Sequence, residues 1–190
     1  RAWADLRNAA EFGLYIPAGV KYDFGAAMAR MRKLRARISR NDSAQRYSKL
    51  GVDVYIGSGR FTGRDSIQVE GPAGNRTLQF VKAAICTGAR ASASQIPGLE
   101  EAGYLTNETV FSLTELPPRL AVIGAGPIGC ELSQAFCRLG SRVSLFEMGS
   151  HILPREDPDA AGIVQEAFVS EGVELILNAN VVKVSTEGGE

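Results

Sequence analysis

An α/β fold with a parallel sheet and a separate β-meander is the class that three patterns in the sequence predict. Residues 120–147 read as strand, glycine-rich turn, helix and strand, residues 52–86 as short alternating segments broken by turn residues, and residues 23–49 as a long helical stripe. Composition permits such a fold, since 45% of the 190 residues are apolar, enough to build a core. Lysine plus arginine and aspartate plus glutamate each number 21, so the chain lacks the charge excess of a nucleic-acid or anionic-membrane binder. No apolar run reaches the roughly 18 residues of a spanning helix. The expectation is a cytoplasmic protein with neither nucleic acid nor membrane as partner. The chain opens at Arg1 inside a helical pattern and stops at Glu190, and it reads as an internal piece of a longer protein.

Trp3, Leu6 and Ala10 recur at helical spacing and Gly13 follows, which predicts the end of a helix. Asp23 is a suitable N-cap for a long helix running toward residue 49, with Met28, Met31, Leu34 and Ile38 as its apolar stripe. Arg30, Arg32, Lys33, Arg35, Arg37 and Arg40 crowd the same helix. They fit either an anion-binding face or a solvated, snorkelling one. Balanced total charge and the lack of interleaved aromatics favour the solvated face. Val52, Val54 and Ile56 then alternate as a strand should, and Gly57-Ser58-Gly59 interrupts them. A turn at 62–65, a strand at 66–70, a turn at 71–76 and a strand from 77 complete the meander, ending in a buried stretch at 83–86. Residues 89–98 read as a loop. Pro117-Pro118 marks the expected boundary between two domains, 1–117 and 118–190.

The second domain opens with Leu120, Ala121, Val122 and Ile123, a continuous apolar run of the kind a strand buried on both faces shows. Gly124, Ala125, Gly126, Pro127, Ile128 and Gly129 fit the G-x-G-x-x-G turn. Its first glycine allows the tight turn, its second lets backbone approach a pyrophosphate, and its third lets helix pack on strand. Ile128, Leu132, Ala135, Phe136 and Leu139 give the helix one apolar face, and Gly140 suits its C-terminal cap. A strand at 141–146 ends in Glu147, near the acidic position expected about 20 residues after the turn. The whole unit predicts a Rossmann-like dinucleotide site. A carboxylate at Glu147 can accept hydrogen bonds from both hydroxyls of the adenosine ribose. A 2′-phosphate there would meet like charge, at about 4 kcal/mol per charge pair for 4 Å and an effective dielectric of 20, less where solvent intervenes. NAD is therefore expected over NADP. Asp159 can cap a further helix that Gly172 ends, and 173–177 reads as a third strand.

Taken in order, these segments resemble the pyridine nucleotide-disulfide oxidoreductases, close to the mercuric reductase-like and dihydrolipoyl dehydrogenase branches. Residues 10–13, Ala-Glu-Phe-Gly, resemble the end of the helix that follows the family's redox cysteines. Gly57-Ser58-Gly59-Arg60-Phe61 resembles the segment touching the adenine end of the flavin nucleotide. Ile85-Cys86-Thr87-Gly88 resembles the A-T-G flavin motif, with Cys86 in the alanine's place. Residues 124–131 match G-x-G-x-x-G-x-E. The resemblance thus implies two partial nucleotide-binding domains, with FAD held through Gly59, Thr87, Gly88 and Ala89. It implies NAD held through Gly124, Ala125, Gly126, Pro127, Ile128, Gly129, Glu131 and Glu147, together with Val181. Glu131 has two open readings: a place near the incoming nicotinamide, or stabilisation of the helix N-terminus through the macrodipole.

By the same resemblance, hydride passes between NADH and FAD, and electrons go on to a disulfide, a dithiol or a metal ion. The parent is expected to be a homodimer acting in cell redox homeostasis. The redox cysteine pair, the flavin's own glycine-rich unit and the dimerisation domain with its acid-base histidine have no match in these 190 residues. No catalytic residue and no metal ligand is therefore assigned, and the chain alone is expected to be inactive. Cys130 and Cys137 sit on one helix about 10.5 Å apart at 1.5 Å per residue, too far for a disulfide. All three cysteines are expected to be core thiols. His151 directly follows the second strand and reads as a surface loop residue. Two alternatives stay open: a flavin NADH oxidase or ferredoxin-type reductase without a cysteine pair, and a non-enzymatic NAD-binding module.

Overall fold

Helix α1 (Ala2–Arg7) and a 3-10 turn (Ala9–Phe12) close on Gly13, whose left-handed backbone (φ 73°) ends the segment as its position after the stripe predicts. A computed structural model describes residues 2–92 and 95–186; residues 93–94 of the expected loop lie outside the described residues. Helix α2 (Phe24–Ile38) starts where expected, with Asp23 Oδ1 accepting from the Ala26 N–H at 2.8 Å. It does not run on to residue 49. Ser39 and Ser43 hydroxyls donate to the carbonyls of Ala36 and Arg40, and such local side-chain bonds compete with helix. Ser43 then caps a separate helix, α3 (Ala44–Lys49), by accepting from the Arg46 N–H.

The described chain divides into two compact units, residues 31–90 and residues 1–30 with 91–190. In the first, strands β1 (Ser58–Phe61), β2 (Ser66–Gly71) and β3 (Gly74–Gln79) form the predicted antiparallel meander in the order β1-β2-β3. Ser58 pairs with Glu70 and Phe61 with Ile67, so β2 ends level with residue 57. Val52, Val54 and Ile56 therefore lie beyond the β1–β2 ladder and form no strand, despite their alternation. At that end the backbones nearly touch: a Cβ on Gly71 would lie 2.0 Å from the Ile56 carbonyl oxygen. The expected buried stretch at 83–86 is also corrected. Residues 81–92 contain no helix or strand, Ile85 is 71% exposed, and Cys86 is exposed rather than in a core. A core strand needs a ladder partner on each side and cover on both faces, and none of the three strands here pairs with it.

The other unit holds helix α4 (Leu99–Ala102), a 3-10 turn (Val110–Ser112), and the predicted strand–helix–strand unit. Strand β4 (Arg119–Ile123), helix α5 (Pro127–Leu139), strand β5 (Arg142–Phe146), helix α6 (Pro158–Glu171) and strand β6 (Glu174–Ile176) follow one another. The sheet is parallel in the order β4-β5-β6, with Leu120 against Val143 and Val122 against Leu145. These side chains and Leu175 meet Cys130 and Phe136 of α5 and Phe168 of α6 in one core, which Phe24 joins by packing on Phe136. Both crossover helices thus cover the same face. Ala121 and Ile123 lie on the other and are exposed, so β4 is covered on one face only, not on both as its apolar run suggests.

Two helix ends are set by local chemistry. Gly140 caps α5 with φ 112°, as expected. The cap of α6 is Asp157, whose carboxylate accepts from the Asp159 N–H at 2.9 Å, with Pro158 in the first helical position; Asp159 lies inside the helix instead. Proline is favoured there because the missing N–H would have no helical partner.

Candidate dinucleotide-binding site

The turn after β4 is built from backbone. Gly124 (φ 96°) continues the ladder by donating to the Phe146 carbonyl at 2.8 Å. Gly126 is extended at the head of α5, and Pro127 follows as its first residue. Gly129 has no room for a side chain, since a Cβ there would sit 2.0 Å from the Gly124 carbonyl oxygen. Above Gly124 and Gly126 a Cβ would meet nothing within 4 Å. The third glycine thus serves close packing, while the first two face open room beside the first-turn N–H groups of a helix. This is the arrangement that suits a pyrophosphate.

Ala125 is fully buried between those glycines, and both of its polar groups turn inward. Its N–H donates to Glu147 Oε2 at 2.8 Å. Its carbonyl accepts from the Leu153 N–H at 2.8 Å and from the Cys130 thiol at 3.3 Å. Glu147, at the end of β5, also accepts from the Gly149 N–H through Oε1 at 2.9 Å. The Gly149 N–H, then the Ala125 N–H, hold its carboxyl below its ordinary pKa, so it is ionised. An ionised carboxylate offers about four acceptor sites, and these two bonds leave room for ribose hydroxyls. The clamp role of Glu147 is additional to the one its position predicts.

The other predicted residues fall in two places. Ile128 and Glu131 are exposed in the first turns of α5. Val181 is half-buried beyond β6, in a segment tied to the Glu147 loop: Asn178 and Ala179 N–H groups donate to the carbonyls of Gly149 and Glu147. Gly59 on β1 and Thr87, Gly88 and Ala89 lie in the unit of residues 31–90, all exposed. His151 is half-buried in the loop after β5, with Nδ1 donating to the Ile152 carbonyl at 2.8 Å. Cys130 is a buried thiol, pushed up to about 11 chiefly by burial, and burial also raises Cys137, so neither is poised as a thiolate. Among the described residues no cluster of three metal-ligating side chains occurs, and no helix is long and apolar enough to cross a membrane. Leu153 and Cys130 are the contributors that sequence reading misses. Nothing in the apolar pattern marks a leucine by its backbone amide.

Comparison with known proteins gives a consistent picture. The family described as pyridine nucleotide-disulphide oxidoreductase matches residues 13–190. A mercuric reductase of Lysinibacillus sphaericus is 31% identical over 93% of the chain and 31% of its own length. Among solved structures, LpdA of Mycobacterium tuberculosis superposes with a TM-score of 0.82 at 28% identity, over 98% of this chain and 41% of that one. A Cu(II) complex of a variant of the HOCl-induced flavoprotein disulfide reductase RclA of Escherichia coli gives 0.76 at 33% identity, over 87% and 38%. The chain therefore spans about a third of the length of the curated relative it matches.

Proposed function

The chain belongs to the pyridine nucleotide-disulphide oxidoreductases, and from that premise we propose that it forms part of an FAD-dependent, NADH-linked reductase. Residues 118–190 are assigned to the NAD-binding domain and residues 1–117 to the second half of the flavin domain. The parent passes hydride between NADH and FAD and on to a disulfide, a dithiol or a metal ion. We place it in the cytoplasm, in redox homeostasis, as a homodimer joined through a domain outside this chain. The mercuric reductase and flavoprotein disulfide reductase named among its relatives support that substrate range.

One observation carries the reading: a glycine turn with open room above two glycines, locked to an ionised carboxylate at the end of the next strand. When bound, the nicotinamide and flavin supply the hydride and electron chemistry. Gly124, Ala125, Gly126, Pro127, Ile128 and Gly129 shape the phosphate cradle, with Val181 at its border. Glu147 orients the adenosine ribose and repels a 2′-phosphate. Glu131 stands just past the first turn of α5, at the N-terminal end where a negative charge meets the positive pole of the helix, and it can face the nicotinamide half. Gly59, Thr87, Gly88 and Ala89 are the flavin-side contacts. Titration of the purified protein with NADH and NADPH tests the assignment. NADH should bind at least about tenfold tighter, a difference of about 1.4 kcal/mol. Equal binding of the two would refute the role given to Glu147.

A further inference from the structure

Among the described residues only two that are not glycine adopt left-handed backbone, Leu153 (φ 53°) and Asn178 (φ 53°). Both lie where a loop is tied to the nucleotide crevice: Asn178 donates to Gly149, and Leu153 donates to Ala125. Asparagine tolerates this conformation, but for leucine the Cβ crowds the following carbonyl. Such backbone persists only where its surroundings over-determine it.

Ala125 shows what that conformation achieves. It is the residue between the two glycines that face open room, and it is fully buried. Its carbonyl is drawn inward by two donors, the Leu153 N–H at 2.8 Å and the weaker Cys130 thiol at 3.3 Å. Without the Leu153 bond, a carbonyl left with only a thiol donor gains by turning toward water, and the open side of the turn is where water lies. There its negative end would oppose any anion held by the turn.

We propose that Leu153 is a positioning residue for the dinucleotide: its left-handed backbone keeps the Ala125 carbonyl out of the open space above Gly124 and Gly126. The turn then offers an incoming pyrophosphate N–H groups and no acceptor. This inference rests on the nucleotide reading of residues 124–147 and adds a residue to it from outside the glycine motif.

The test compares Leu153→Gly with Leu153→Ala in the full protein. Both remove the leucine side chain beyond Cβ, glycine the Cβ as well, and only glycine accepts φ 53° freely. With ADP-ribose as probe, the alanine variant should bind about fivefold more weakly than the glycine variant. Leu153→Asn should track the glycine variant. In the flavin-loaded parent the alanine variant should raise KM for NADH while leaving kcat unchanged. Equal ADP-ribose affinity for the glycine and alanine variants overturns the proposal, because packing alone would then explain any loss. Failure of the unsubstituted protein to bind ADP-ribose overturns the nucleotide reading itself, and the two failures are thereby distinct.

Discussion

Gly126 and Gly129 stand three residues apart in one motif, yet their surroundings assign them different work. A Cβ at Gly129 would collide with the Gly124 carbonyl oxygen, whereas one at Gly126 would meet nothing within 4 Å, and Gly126 has an ordinary φ of −69°. Gly129→Ala should therefore destabilise the fold by about 1–3 kcal/mol as overpacking does, lowering the thermal midpoint together with NADH binding. Gly126→Ala should leave that midpoint nearly unchanged and still abolish binding, since its methyl fills the cradle. A parallel loss of stability in both variants would contradict this division. At Glu147 the expectation concerns pH. Its folded-state pKa is depressed, first by the Gly149 N–H and then by the Ala125 N–H. Its contribution to stability is thus complete above the unfolded value of about 4.3 and lost as pH falls through the lower folded value. Thermal unfolding between pH 6 and pH 3 should fall less steeply below about pH 4 in Glu147→Gln than in the unsubstituted protein.

Helices α5 and α6 are joined by a polar clamp over their shared core face. Arg138 reaches Glu171 with two bonds of 2.6 Å each, and Gln134 adds a third at 3.0 Å. The ion pair is 29% and 26% exposed, which leaves it partly screened. Arg138→Ala or Glu171→Ala should each cost about 1 kcal/mol. A double-mutant cycle by chemical denaturation should return a coupling of similar size; additive losses would show that the bonds are exchanged for water without gain. Helix α5 was readable from sequence because every cue agreed: glycine turn, proline at the first position, one apolar face and a terminal glycine. The break between α2 and α3 was not, because it turns on serine hydroxyls choosing local carbonyls at Ala36 and Arg40 over solvent. The cap of α6 went to Asp157 instead of Asp159 because Pro158 favours the first helical position.

At the scale of the molecule the two units differ in what holds them. No residue from 31 to 90 is buried, and the meander stands on its ladders and on contacts such as Phe61 against Phe80. The parallel sheet buries its own Val143 and Leu145 against Phe136 of α5 and Phe168 of α6. Amide hydrogen exchange of the isolated chain should therefore protect residues 119–146 far longer than residues 58–79, and longer protection of the meander would contradict this. The same contrast explains how much was legible. The β4-α5-β5 unit closes on itself, so local pattern sufficed for its fold and for most of its candidate site. Residues 83–86 form no strand despite their apolar pattern, because a strand is a property of its neighbours and apolar character alone supplies none. Glu147 was found by spacing, but its grip on Ala125 depends on a loop geometry that spacing does not encode.

The unequal placement of the three sulfurs has a practical consequence. Cys86 is exposed, while Cys130 is buried and Cys137 half-buried, each donating to a backbone carbonyl. A colorimetric thiol reagent should consume one equivalent quickly from the native protein and two more only on denaturation. The delayed pair then serves as an intrinsic clock for the opening of a single helix, read without an added label.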